Sequence, residues 1–260
     1  MGEPRIVCRF SCGAASAIAT KLTLAKFDRE RVVITYSDPG SEHPDNERFL
    51  ADCVRWFNHP IETLRSTEYR DTWHVFEKER FLVGHQGAKC TGVLKRAPTY
   101  AFQQPGDILV FGYTAEEKAR ADQFRRQNFD QPFLTPLIDA GLTKADCLAM
   151  IERAGIELPA MYRLGYHNNN CIGCVKGGMG YWNKIRRDFP EVYERMATLQ
   201  RDLGPGSYFW RERATGERIS LDALAPDRGN HDEEPNIECS LMCHAAEDAL
   251  TAQEPRHGRD

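Results

Sequence analysis

Ile6-Val7-Cys8-Arg9-Phe10-Ser11-Cys12-Gly13-Ala14-Ala15-Ser16-Ala17-Ile18-Ala19 reads as a strand, a tight turn and the first turns of a helix. The turn is built from small residues around Gly13, with a serine on each side. Such a turn aims successive backbone N–H groups at one point, and the helix dipole adds positive potential there. Ser11, Cys12, Gly13, Ala14, Ala15 and Ser16 are therefore candidate phosphate binders, and nucleotides are the implied ligand class. The same residues also fit an ordinary strand–helix turn with an N-cap serine.

Outward from this stretch, the pattern repeats. Residues 31–37 form a β-branched run ending in the turn Asp38-Pro39-Gly40-Ser41. A helix with Phe49, Leu50, Val54 and Phe57 on one stripe follows from residue 44. Residues 60–64 and 107–113 read as strands, and helices open at Thr114 and Thr143. This alternation predicts an α/β fold with a doubly wound, mostly parallel sheet. Ligands in such sheets bind beyond the carboxyl ends of the strands, where Ser11, Asp38 and Gly112 fall. After residue 160 the texture changes to a cysteine-bearing C-terminal extension. We expect residues 1–165 to form the nucleotide-binding α/β unit. Residues 166–260 should add a Cys-x-x-Cys loop, one amphipathic helix over 181–203 and a turn-rich, acidic, mobile tail segment over 211–236, packed on the same domain.

The 260 residues are 41% hydrophobic and 28% charged, with net charge -4, which suits one large α/β domain. The acidic balance gives no general attraction to nucleic acid. No apolar run is long enough to cross a bilayer, and the N-terminal residues lack a signal-peptide layout. A cytoplasmic location without a membrane partner is expected.

Nine cysteines then need a reason. An odd count without a secretion signal argues against a disulfide scaffold. Cys8, Cys53 and Cys147 sit in apolar contexts and read as small buried hydrophobes. Cys171 and Cys174 form a Cys-x-x-Cys pair, Cys90 lies in a glycine-rich loop, and Cys239 and Cys243 lie near His244. Four soft ligands, Cys90, Cys171 and Cys174 with Cys243 or Cys239 as the fourth, suit zinc or an iron–sulfur cluster such as [4Fe-4S]. Basic residues follow two predicted ligand-side segments: Lys89, Lys95 and Arg96, then Lys118, Arg120, Arg125 and Arg126. These clusters suit an anion, whereas Arg186 and Arg187 read as a solvated helix face.

In this order the features resemble the phosphoadenylyl-sulfate (PAPS) reductase family of the PP-loop ATP pyrophosphatase superfamily. Residues 11–16 resemble its phosphate loop, and Tyr36-Ser37-Asp38-Pro39-Gly40 resembles its Asp-Thr-Gly segment. Cys90-Thr91-Gly92-Val93-Leu94-Lys95 resembles its cysteine loop with a following lysine. Phe111-Gly112-Tyr113, Thr135-Pro136-Leu137-Ile138-Asp139, Cys171-Ile172-Gly173-Cys174 and Glu238-Cys239 resemble later family motifs. The resemblance implies an adenine nucleotide alpha-hydrolase-like fold that binds PAPS, APS or ATP through the loop, Tyr36, Asp38, Gly112, Lys118, Arg120 and Arg125. It also implies Cys239 as the thiol nucleophile, with Lys95 and Cys243 assisting. The chain departs from the family in three places. Ala15 replaces the loop Asp of ATP pyrophosphatases, Cys90 stands without an adjacent cysteine, and the tail reads Glu-Cys-Ser-Leu-Met-Cys.

Three functions fit these readings. The first is thiol-dependent reduction of an adenylyl sulfate to sulfite, with Cys243 or a thioredoxin-like donor as the second thiol. The second is ATP-activated, iron–sulfur-dependent sulfur transfer to nucleic acid, of the tRNA thiolation or DNA phosphorothioation type. The third is a non-enzymatic nucleotide-binding module with a structural metal.

Overall fold

The computed structural model describes residues 3–84 and 87–237. In chain order these form β1 (Ile6–Phe10), α1 (Ala14–Lys26), β2 (Val32–Ser37), α2 (Asn46–Phe57), β3 (Glu62–Leu64) and α3 (Thr72–Glu79). The short strands β4 (Val83–Gly84) and β5 (Gly87–Ala88) lead to a π-helical stretch, Thr91–Arg96, that continues into α4 (Ala97–Phe102). Then come β6 (Ile108–Val110), α5 (Lys118–Gln127), β7 (Phe133–Leu134), α6 (Pro136–Asp139), α7 (Lys144–Arg153) and α8 (Ala160–Arg163). The last elements are α9 (Met179–Asp188), α10 (Pro190–Leu203), β8 (Trp210–Arg211) and β9 (Arg218–Ile219).

The central sheet is parallel throughout, in the order β3-β2-β1-β6-β7. Ile6 stands opposite Val32 on one side and Ile108 on the other. The chain winds outward from β1 to β3, then returns to the other side of β1 with β6. That reversal leaves a crevice beyond the carboxyl ends of β1 and β6. Ser11 and Gly112 flank it. Successive residues of a strand face opposite sides of a sheet. Ile6, Cys8 and Phe10 accordingly pack with Ile18, Ile34 and Phe49, while Val7 packs with Leu109, Phe111 and Phe124. Arg9 shares the face of Val7.

A second core joins the middle of the chain to its last third. Tyr69, Trp73, Phe76 and Leu94 pack with Met161, Tyr181, Trp182, Met196 and Leu221. Residues beyond 165 therefore bury apolar surface jointly with residues 69–94.

Three local expectations change. The stretch 181–203 is two helices, because Pro190 lacks an N–H and starts α10 as its first residue. The glycine-rich loop around Cys90 is instead the entry to the π-helical stretch. Residues 211–236 are anchored: Ile219, Leu221 and Leu224 are buried, and Asn183 Nδ2 donates to the Ala225 and Arg228 carbonyls at 2.9 and 2.7 Å. Among the described residues, no helix is long and apolar enough to cross a membrane.

Candidate functional site

Beyond β1 the chain turns through Cys12, whose φ of 57° is left-handed, and enters α1 at Gly13. Ser16 closes the turn. Its hydroxyl donates to the Gly13 carbonyl at 2.9 Å and accepts from the Ser11 amide at 3.0 Å and the Ser11 hydroxyl at 3.1 Å. No side chain caps the start of α1, so its polar end faces the crevice. Gly112 lies against this loop so tightly that a Cβ would stand 2.8 Å from Ser16 N and Cα. On the other side, the Tyr162 hydroxyl lies against Gly13, where a Cβ would stand 3.1 Å from it, and burial pushes its phenol up to about 12.

The loop forms one wall of a cleft of about 350 Å³. Ser11, Gly13, Ala15, Ser16, Gly112, Lys95 and Arg120 all line it, as do Arg9, Thr114, Lys144, Tyr162 and residues 168–170. Four cations thus face the loop, against Glu116 and Glu117 among the lining acids. Arg9 is held by Thr35 Oγ1 at 3.3 Å and Gln103 Oε1 at 3.1 Å, and burial lowers its guanidinium to about 10. It still carries charge at neutral pH. Arg120 pairs with Glu117 at 2.7 Å and lies over the Tyr113 ring. Lys144 donates to the His167 carbonyl and to Asn168 Oδ1 at 2.7 Å; burial lowers its pKa. An anion of nucleotide size suits this combination of loop and cations.

Other residues singled out in the sequence stand elsewhere. Cys12 and Ala14 belong to the loop but do not line the cleft; Cys12 Sγ points at the Asn46 carbonyl, 3.6 Å away, and burial pushes that thiol up. The Tyr36 hydroxyl donates to Glu42 at 2.7 Å. Asp38 accepts from the Gly40 amide at 2.8 Å and pairs with Arg65 at 2.7 Å. Lys118 and Arg125 lie on the exposed face of α5, where Asp122 pairs with them at 3.4 and 3.0 Å. Arg9, Lys144, Tyr162 and the asparagines were missed. Arg9 alone left a signal, as a cation in an apolar strand directly before the loop.

Cys90, Cys171 and Cys174 line one small pocket with Thr91 and Lys95. Lys95 lines the cleft as well, so the two cavities share its side chain. The π-helical turn explains this, since i→i+5 closure brings residues five apart onto one face, as with Cys90 and Lys95. The Cys-x-x-Cys turn is rigidly held: the Ile172 amide donates to the Ser41 carbonyl at 3.0 Å, and the Tyr181 hydroxyl donates to the Cys171 carbonyl at 3.2 Å. Three sulfur donors are chemically suited to a soft metal. Among the described residues, however, no three His, Cys, Asp or Glu side chains are arranged to hold a metal ion. Cys239 and Cys243 lie outside the described residues. Cys8, Cys53 and Cys147 are buried, and burial raises the Cys8 thiol to about 12 and Cys147 to about 11, which keeps them protonated.

No family model matches the chain. An uncharacterized protein of Methanocaldococcus jannaschii is 22% identical over 204 residues, covering 76% of this chain and 42% of that protein. The chain thus spans less than half the length of this curated relative. Among solved structures, the phosphoadenylyl-sulfate (PAPS) reductase of Candida auris, in a phosphate complex, is similar with a TM-score of 0.44 and 12% identity. That similarity covers 66% of this chain and 82% of that one.

Proposed function

We propose that this chain binds an adenylyl sulfate in the cleft and reduces it to sulfite by thiol chemistry. The observation that carries the reading is the cleft itself, where Ser11, Gly13 and Ser16 of the loop share one lining with Arg9, Lys95, Arg120 and Lys144. The Ile237 carbonyl accepts from Asn170 Nδ2 at 2.9 Å and Asn168 Nδ2 at 3.2 Å, and Asn236 and Ile237 themselves line the cleft. Cys239 lies outside the described residues and enters this reading through its family-like Glu-Cys sequence context.

The chemistry divides into two displacements. The Cys239 thiolate attacks the sulfate sulfur, the sulfur–oxygen bond to the nucleotide phosphate breaks, and the nucleotide leaves with that oxygen. The enzyme then carries S-sulfocysteine. A second thiolate, from Cys243 or a thioredoxin-like protein, attacks Cys239 Sγ, forms a disulfide and releases sulfite, so the two electrons come from the thiols. Arg9, Lys95, Arg120 and Lys144 bind the anionic groups and offset charge that develops as the nucleotide leaves. The iron–sulfur or zinc occupant expected from the sequence has no site among the described residues, and no step uses it.

The pocket of Cys90, Cys171 and Cys174 meeting the cleft at Lys95 favours a second reading, ATP-activated sulfur transfer to a nucleic acid. One set of assays separates the two. With PAPS or APS and a dithiol, the reductase releases sulfite, and Cys239→Ser abolishes release. The transferase instead consumes ATP only with acceptor and sulfur source present. Absence of sulfite from both adenylyl sulfates overturns the first reading.

A further inference from the structure

Glu42 is a buried carboxylate on the segment between β2 and α2, and its side chain is 4% exposed. Three donors converge on it. Lys95 Nζ lies 3.1 Å from Oε1, while the Tyr36 hydroxyl and Asn46 Nδ2 reach Oε2 at 2.7 and 2.8 Å. Asn46 passes the connection on. Its Oδ1 accepts from Asn169 Nδ2 at 2.8 Å, and the same Asn169 amide group donates to the Cys12 carbonyl at 2.6 Å. The two acceptors fix the orientation of the Asn169 amide. A continuous polar chain therefore runs from the Lys95 ammonium, through Glu42, Asn46 and Asn169, to the backbone of the phosphate loop.

Resting on the nucleotide reading of the cleft, we propose that Glu42 is a positioning residue. It holds the Lys95 ammonium in the wall shared by the anion cleft and the three-cysteine pocket, and registers it against the phosphate loop. The Lys95 side chain is only 12% exposed. A lysine that deeply placed stays charged and fixed when a carboxylate faces it, and removing one partner of such a pair leaves an uncompensated buried charge. Glu42 reaches the ligand through Lys95 and through the loop backbone, without lining the cleft itself.

A double-mutant cycle tests this, with calorimetric titration of ATP and of adenosine 5′-phosphosulfate as probes. E42Q and K95M should each weaken binding by about tenfold, which is about 1.4 kcal/mol. The E42Q/K95M double variant should bind no more weakly than either single variant, and E42D should recover most of the lost affinity. Additive losses, or wild-type affinity in E42Q, overturn the proposal while leaving the nucleotide reading intact. A wild-type protein that binds neither probe overturns both. Should E42Q fail to fold, recovery of folding in the double variant supports the buried pair, and failure of the double variant overturns it.

Discussion

The Cys174 amide donates to the Tyr181 hydroxyl at 2.9 Å, and that hydroxyl in turn donates to the Cys171 carbonyl. One phenol thus staples both ends of the Cys-x-x-Cys turn to α9. Gly173, at φ +74°, completes the turn, where a Cβ would stand 2.6 Å from Val192 Cγ1. Tyr181→Phe keeps the ring packing and removes the staple, leaving a buried amide without its partner at a cost of about 1–3 kcal/mol. Alkylation of Cys171 and Cys174 by iodoacetamide should accelerate severalfold, while Trp182 fluorescence stays native. Equal alkylation rates in variant and wild type would show that the turn is held by other contacts.

Gly112 tests the close approach of β6 to the phosphate loop. A methyl group there meets Ser16 N and Cα at 2.8 Å and the Ala15 carbonyl carbon at 3.1 Å, all backbone atoms that have little room to yield. Overpacking of this kind costs about 1–3 kcal/mol. Gly112→Ala should therefore displace the loop and weaken ATP binding by about tenfold or more. Calorimetric titration checks this, and unchanged affinity would separate the loop from the ligand.

The alternation of strands and helices and the strand–turn–helix at residues 6–19 were legible because they rest on local signals. The β-branched run at 31–37 and the small residues at 11–16 dictate their conformation within a few residues. The cleft was less legible, because its charge comes from side chains chosen by tertiary direction. Lys118 and Arg125 look like Arg120 in sequence, yet they project from the outer face of α5 to Asp122. Lys144 looks in sequence like any residue of the helix start after Thr143, yet its ammonium turns inward to Asn168. The anchored stretch 211–236 was read as mobile because its three buried apolar residues, Ile219, Leu221 and Leu224, are sparse among acids, prolines and glycines. Their partners on α9 and α10 are invisible to a local window.

Asp45 connects α2 to α8, which carries Tyr162 beside the loop. Its carboxylate takes two hydrogen bonds from Arg48, at 2.7 and 2.8 Å, and one from the Ala160 amide at 2.8 Å. The Arg48 bonds lower its pKa from the ordinary 3.8 to about 2. The folded state thus binds a proton less readily than the unfolded state. The resulting stabilisation is complete above about pH 4 and is lost as the pH falls through about 2. Asp45→Asn should be less stable at pH 7 and show a flatter stability profile between pH 4 and pH 2. Urea unfolding midpoints across that range check it; parallel profiles would remove Asp45 from the acid response.

His231 anchors the segment that leads to Ile237. Its ring stacks on His167 with centroids 4.5 Å apart, and Tyr166 and Tyr181 pack edgewise and tilted against it. Among the described residues, neither ring nitrogen has a hydrogen-bond partner. Burial lowers its pKa from the ordinary 6.5, with His167 and Lys184 acting in the same direction and Glu234 and Asp232 opposing them. Because the folded state favours the neutral ring, the anchoring is complete above about pH 6.5 and weakens as the pH falls below it. Glu234 remains as a second tether, accepting from the Gly180 and Tyr181 amides at 2.6 and 3.0 Å. Acidification to pH 5 should therefore loosen residues 226–237 without unfolding the sheet. Limited proteolysis in that segment should accelerate from pH 7.5 to pH 5 in the wild type, measured with a protease active across the range. His231→Phe, which keeps an aromatic ring and removes the titrating nitrogens, should make cleavage independent of pH. Equal acceleration in both proteins would place the response in another group.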